Sequence, residues 1–422
     1  MNKKIMYISS HTKYGFEKND LYFVKYLKTK LDINFFAMSD NGISGNYTYN
    51  KKYKRDKDFL LINTIWVKSR WEIFYNILKH DIIIISSLDG ASNYAVFCKK
   101  LNKKVIIIDS FFNQDYDLKI FADLIIFKGK NAQKTFSRLS KKKINYEICG
   151  CIQSIFIKKN RISKKEFFKK YKLKYKKNFV FFPHGPQYLT DKFYTNSFLD
   201  IVNVIKKNKY NLLIHPHPTF FNRIKNKKFK NNRIRQIINE HKIDTKDLYN
   251  SINYAEAGIT ISSNTFQQVN LMNKPIIFVN RQKFFAINKK LIKDINNQKI
   301  KVYKYNIDNK LKTFEKHSEM IITQLRKDHI RYYGVDVSTK NLSYYINNIS
   351  KLKQEFKINN SFKKNISRFT DLDCYSKSAD TIYKFIEKSR IIKKRPLKFY
   401  YYKILLKIII QIYFTKLLIF RP

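Results

Sequence analysis

Short apolar runs alternate with mixed polar and apolar stretches along the first third of the chain. Lys4–Ser9, Ile33–Ala37, Asp81–Ser86, Val105–Asp109 and Asp123–Phe127 are each dominated by branched aliphatic or aromatic residues. Continuous apolar runs of this length are what strands buried on both faces of a parallel sheet require. Asp20–Leu31 spaces its apolar residues like one face of a helix, and further helical or loop segments separate the remaining runs. Tyr146–Cys151 reads as the last strand of this half.

A lysine-rich stretch, Lys158–Lys177, follows, and then the pattern restarts. Asn178–Phe182, Tyr210–Ile214, Gly258–Ile261 and Pro275–Val279 read as strands, and residues from about Lys310 to Ser389 read as mainly helical. Repeated strand and helix alternation predicts an α/β fold with two doubly wound, Rossmann-like domains. The expected boundaries are residues 1–152 for the first domain, 153–177 for a linker and 178–330 for the second domain. A helical return segment at 331–395 and a tail at 396–422 complete the expected division.

The tail has its own pattern. Leu397–Phe420 is nearly all aromatic and branched aliphatic, interrupted at intervals of four by Lys403, Lys407, Gln411 and Thr415. On a helix these four make one narrow polar stripe. Lysines near the middle of a membrane span are costly, whereas a helix lying in the interface accommodates them by snorkelling. The tail is therefore expected to associate with an anionic membrane surface, with a buried core helix and a true span as the alternatives.

Charge changes the picture less than its size suggests. The 422 residues carry a formal net charge of +53, from 85 Lys+Arg against 32 Asp+Glu. That excess favours anionic partners. The lysines are spread along the whole chain, however, and no recognisable module focuses them with interleaved aromatics, so nucleic acid is not the expected partner. The 44% hydrophobic fraction supports packed cores and excludes a disordered chain. Cys98, Cys149, Cys151 and Cys374 form neither a disulfide framework nor a metal-ligand spacing, so no metal is expected. Met1–Ser10 lacks the apolar core of a signal peptide, which points to a cytoplasmic location.

Five of the seven prolines fall at Pro183, Pro186, Pro216, Pro218 and Pro275. All but Pro275 follow predicted strands, at the carboxyl ends where open α/β sheets bind ligands. Phe182-Pro183-His184-Gly185 ends one strand in a tight turn. His184 is either a ligand-binding residue or an ordinary loop histidine. Ile214-His215-Pro216-His217-Pro218 holds two histidines in extended backbone, because the residue before a proline is kept out of the helical region. An imidazole there can donate a hydrogen bond to a phosphate. Ile261-Ser262-Ser263-Asn264-Thr265 runs from a strand toward a helix, which suits either anion binding or plain N-capping.

His215-Pro216 with Ser262-Ser263 resembles the HP and SS motifs of bacterial sialyltransferases and capsule Kdo-transferase-like enzymes. Ile259-Thr260-Ile261-Ser262-Ser263 followed by Lys274-Pro275-Ile276-Ile277-Phe278 is also similar to the CDP-glycerol glycerophosphotransferase family. Both groups are GT-B proteins, with two facing Rossmann-like domains. The resemblance covers about residues 145–285 and implies that His215, Ser262 and Ser263 contact donor phosphates; the strand-end placement adds His184, Gly185, Asn264 and Thr265 to the expected phosphate edge. Gln267 and Gln268 stand where the glycerophosphotransferases carry an acid, and a glutamine there could bond a ribose hydroxyl. The histidine-glycine motif of that family is missing after Asp109. In the sialyltransferase-like group an acidic-acidic-glycine motif carries the general base. Leu88-Asp89-Gly90 keeps one of its acids, which makes Asp89 the preferred base and His11 the reserve; the other reading of Asp89 is a helix cap.

The expected activity is that of a nucleotide-activated-donor transferase in cell-surface polysaccharide biosynthesis, with a CMP-sugar donor and a glycan or lipid-linked acceptor. A CDP-glycerol-type glycerophosphotransferase is the alternative, and a basic nucleic-acid-binding protein is a rival from another class. The donor would be a substrate, so no cofactor is expected. A metal-dependent GT-A transferase is suggested only by the Asp-x-Asp triplets Asp115–Asp117 and Asp371–Asp373. The expected location is the inner face of the plasma membrane.

Overall fold

The computed structural model describes residues 3–9, 17–38, 60–67, 70–86, 91–109, 121–127, 129, 133, 136–137, 144–150, 162–183, 192–216, 232–244, 247–261, 263, 265–281, 283, 334–359, 371–390 and 396–419. The chain divides into two compact units, Met1–Ile155 with Asn365–Pro422, and Phe156–Lys364.

The first unit contains β1 (Ile5–Ser9), α1 (Glu17–Leu27), β2 (Ile33–Met38), β3 (Ile65–Val67), α2 (Arg70–Lys79), β4 (Ile82–Ser86), α3 (Ala91–Lys100), β5 (Lys104–Ile108), β6 (Leu124–Phe127) and β7 (Asn145–Ile148). Its sheet runs in the order β3-β2-β1-β4-β5-β6-β7 with every neighbouring pair parallel. Every residue of β4 and β6 is buried, as expected for strands covered on both faces. The edge strand β7 is partly exposed and carries the Glu147 ion pair to Lys377 at 3.0 Å, a charged edge that discourages pairing with another chain.

The second unit contains α4 (Lys164–Lys170), β8 (Asn178–Phe182), α5 (Lys192–Lys207), β9 (Asn211–Ile214), α6 (Asn232–His241), α7 (Leu248–Tyr254), β10 (Ala257–Thr260), α8 (Phe266–Leu271), β11 (Ile276–Val279), β12 (Gly334–Val337), α9 (Thr339–Asn347) and α10 (Ile349–Asn359). Its parallel sheet runs β12-β11-β10-β8-β9. α5 buries Tyr194, Phe198, Ile201, Val202 and Ile205, the i, i+4, i+7, i+8, i+11 stripe that faces one side of a sheet. They join Phe179, Phe181 and Ile259 from the strands and Leu342 and Ile346 from α9 in one core.

Several expectations change here. α4 lies within residues 153–177, started by a capping box in which Ser163 and Glu166 exchange hydrogen bonds, and from Phe156 on these residues belong to the second unit. Residues 331–395 are not one helical segment. Gly334–Val337 is the edge strand β12, and α9 and α10 stay with the second unit. Gly334 is needed there, because a Cβ would stand 2.3 Å from the Ile276 carbonyl oxygen. The next helix, α11 (Asp371–Lys388), returns to the first unit and buries Cys374, Tyr375, Ala379, Ile382 and Ile386 in its core. Tyr375 meets Phe23 edge-on at 5.3 Å, and Lys30 pairs with Asp380. Cys149 packs in the same core, and burial pushes its thiol up to about 11, so it serves packing rather than reactivity. Cys151 and Asp115–Asp117 lie outside the described residues, and Asp371–Asp373 begins α11.

The tail forms α12 (Leu397–Ile419), which packs on α2. Phe399 and Leu406 are only 3% and 4% exposed, and Tyr402 meets Phe97 of α3 edge-on at 5.1 Å. The buried-helix alternative thus holds for one face of the tail. No helix among the described residues is long and apolar enough to cross a membrane. With only nine glycines in the chain, left-handed backbone positions fall to Asn63, Asn102, Asn273 and Asn280, with Lys172 and Lys209. Asparagine tolerates that region better than other non-glycine residues.

Candidate functional site

In the second sheet the chain steps from β8 to β9 on one side and later to β10 on the other. The β8–β10 pair is therefore the point where the winding reverses, and the crevice beyond the carboxyl ends there is where open parallel sheets take ligands. The register levels those ends, with Phe181 opposite Ile214 and Phe182 opposite Thr260. The segments beginning at Pro183, His215 and Ile261 consequently leave from adjacent points of one edge.

Each segment is held by its own bonds. The His215 amide donates to the Phe181 carbonyl at 3.0 Å, which extends the ladder one residue past β9. Its half-buried ring tilts against Phe182, 6.1 Å between centroids. The Thr260 hydroxyl donates to the Phe182 carbonyl at 2.9 Å and accepts from the Ser263 amide at 2.9 Å, strapping the turn after β10 to the end of β8. Ser263 is buried; its Oγ lies 3.0 Å from the Thr265 Oγ1 and accepts from the Thr265 amide at 3.3 Å. These Ser263 and Thr265 bonds all lie within the turn before α8. α8 spans six residues, so its dipole is weak, and the Ser263 and Thr265 amides are already bonded within the turn. Gln268 is buried on α8, with its amide donating to the Thr265 carbonyl at 2.9 Å. Gln267 also lies on α8, and its side chain is outside the described set, as are His184, Gly185, Ser262 and Asn264.

One residue at this edge was not anticipated. Arg281 follows β11 by two positions and is 2% exposed. Its guanidinium lies over the Phe278 ring at 4.7 Å and the Phe266 ring at 5.6 Å, and Nη1 reaches the Ile261 carbonyl at 3.4 Å. Its amide donates to the Asp336 carboxylate at 3.0 Å. A buried cation thereby backs the turn that carries Ser263. The available signal was its place just past a strand end, the same place that singled out His215.

The first sheet has a corresponding reversal between β1 and β4, whose ends are level, with Ile8 opposite Ile85. His11 and Asp89 follow these two ends and lie outside the described residues. Near the described ends of β1 and β4 is a buried polar group. The Ser86 hydroxyl donates to the Asp20 carboxylate at 2.9 Å, and burial, reinforced by the Asp20 charge, pushes the Tyr7 hydroxyl well above its ordinary value. Asp109 is buried at the end of β5, its amide donating to the Ile126 carbonyl at 2.9 Å. Neither Asp20 nor Tyr7 was singled out from sequence.

No protein-family model matches the chain, and no curated protein sequence matches it. Solved structures do. A UDP-N-acetylglucosamine 2-epimerase, so described provisionally, from Listeria monocytogenes aligns with a TM-score of 0.55 at 9% identity, covering 92% of this chain and 98% of its own. The wall teichoic acid polymerase TagF aligns at 0.52 and 12% identity, covering 92% and 90%. Anabaena Alr3699/HepE, solved with UDP and glucose, aligns at 0.50 and 9% identity, covering 91% and 100%. Two parallel α/β units with C-terminal helices on the first therefore make this a GT-B-like fold.

Proposed function

We propose that the chain is a nucleotide-activated-donor transferase, a glycosyltransferase of cell-surface polysaccharide synthesis, with donor phosphates bound at the carboxyl edge of the second sheet. The observation that carries this reading is the level register of β8, β9 and β10, which sends the segments of His184, His215 and Ser262–Thr265 from one edge at the winding reversal. The turn amides, the hydroxyls of Ser262, Ser263 and Thr265, and the His215 imidazole stabilise the leaving phosphate, where negative charge develops. Gly185 and Asn264 allow or add backbone donors, and Gln267 and Gln268 serve the ribose. Asp89 takes the acceptor proton, with His11 as the other candidate.

The motif resemblance favours a cytidine-nucleotide donor, a CMP-sugar first and CDP-glycerol next. UDP-sugars stand beside CDP-glycerol as the next candidates, and the HepE structure solved with UDP supports keeping them in the panel. The structural likeness to proteins named UDP-N-acetylglucosamine 2-epimerases supports a second reading, isomerisation of the sugar while it stays on the nucleotide. The two differ in products, since a transferase frees the nucleotide by transfer to an acceptor or, more slowly, to water, whereas an epimerase returns the sugar still attached to the nucleotide.

The test follows donor consumption and nucleotide release for the wild type, His215→Ala and Ser263→Ala across CMP-, CDP- and UDP-linked donors. Each substitution is expected to weaken donor use roughly tenfold or more. Wild-type rates in both variants refute the site. A changed sugar on intact nucleotide selects the epimerase.

A further inference from the structure

α12 has two apolar faces, and among the described residues one of them packs on α2 and α3 while the other is exposed. Phe399, Tyr402 and Leu406 lie on the face against α2 and α3. About half a turn away, Leu397, Tyr401, Ile404, Ile408 and Ile412 form a second stripe at spacings of four and three, and all five are exposed; Ile404 is 62% exposed and Leu397 89%. A continuous exposed stripe of this kind marks an interaction surface rather than scattered surface apolarity.

The flanks identify the partner. Lys403 and Lys407 border the stripe on one side and Lys398 on the other, all exposed. Between residues 388 and 422 the sequence holds ten Lys and Arg and no Asp or Glu. A second copy fits poorly, because an isologous pairing would bring Lys403 and Lys407 against their own counterparts. A protein partner would need an acidic rim around an apolar groove. An anionic bilayer satisfies both requirements at once: acyl chains take the isoleucines and Tyr401, and headgroup phosphates take the snorkelling lysines.

We propose that this outward face of α12 docks the first unit on an anionic lipid surface, the helix lying in the interface plane while its inner face stays packed on α2. The tail is thus not a loose anchor but a fixed platform. This inference is independent of the donor site, since vesicle binding needs no catalysis.

The test is co-sedimentation of the full chain with phosphatidylcholine vesicles, with and without phosphatidylglycerol. Removing the tail is a poor probe, because it also strips Phe399 and Leu406 from the core. Ile404→Ser with Ile408→Ser changes exposed positions only and is expected to leave the melting temperature unchanged while weakening partition roughly tenfold or more. Lys403→Gln with Lys407→Gln is expected to weaken binding and reduce its salt sensitivity. Wild-type partition in the isoleucine variant overturns the proposal, as does equal binding to uncharged vesicles. A lipid-free dimer that the isoleucine variant turns into a monomer assigns the face to a second copy and overturns it too.

Discussion

At the carboxyl ends of β1 and β4 the buried polar groups are the Asp20 carboxylate, the Ser86 hydroxyl and the Tyr7 phenol. At the ends of β8, β9, β10 and β11 they are the Ser263 and Thr260 hydroxyls, the half-buried His215 ring and the Arg281 guanidinium. Both sheets are parallel and both reverse winding between two neighbouring strands. The architecture is the same, and the chemistry is opposite. An edge rich in donors suits a phosphate, and an edge that keeps carboxylates suits proton transfer. The proposed function assigns these two edges different jobs, through a handful of residues beyond the strand ends.

The comparison breaks most visibly at Asp89. If the first edge does the proton transfer, Asp89→Asn lowers turnover by about 10²–10⁴ while nucleotide affinity stays within about twofold of wild type. Turnover and affinity falling together would move Asp89 to the binding side and erase the division. If Asp89→Asn is silent and His11→Ala carries the loss, the division survives with its base reassigned.

The second edge is sharpened by Arg281. Arg281→Met keeps the apolar length between Phe266 and Phe278 but removes the cation and its bond to the Ile261 carbonyl. The second unit is expected to lose roughly 2–4 kcal/mol in urea unfolding, and donor affinity is expected to fall with it. Lost stability with unchanged affinity would make Arg281 a packing residue only.

Much of this arrangement was readable before any coordinates. Strands such as β4, β6, β8 and β11 are buried on both faces, and that condition writes itself as an unbroken apolar run. β12 was missed because Gly-Val-Asp-Val carries an acid whose carboxylate bonds the Arg281 amide, a contact invisible at a separation of 55 residues. The destination of α11 was missed because an amphipathic stripe says that a helix needs a core without saying which one. At the site, proline and histidine after strand ends were legible. Arg281 sits in the polar run Asn280-Arg281-Gln282, which reads as a solvent-facing loop, and its burial arises only where Phe266 and Phe278 meet.

The smallest expected difference between the two units is their response to acid, and it is separable because both tryptophans, Trp66 and Trp71, lie in the first unit. His80 is buried there between two neutral partners: Nδ1 donates to the Asn76 carbonyl at 2.7 Å, and Nε2 accepts from the Asn34 side-chain amide at 3.0 Å. Burial holds its ring below the ordinary value of 6.5, so the unfolded chain takes up the proton first. The stability this site contributes is present above about pH 6.5 and is lost as pH falls through its lower folded value. In the second unit Asp247 accepts from Tyr171 at 2.6 Å and pairs with Lys170. Burial opposes its charge, but these partners win and hold it below 3.8. Its contribution is present above about pH 3.8 and is lost only as pH falls through that lower value. Urea midpoints followed by tryptophan fluorescence are therefore expected to drop between pH 7 and 5, and His80→Gln to flatten that slope. Asp247→Asn should leave the slope alone and act on the circular-dichroism signal below pH 4. A fluorescence slope indifferent to His80→Gln would mean that the buried imidazole is not what makes the first unit the acid-sensitive half.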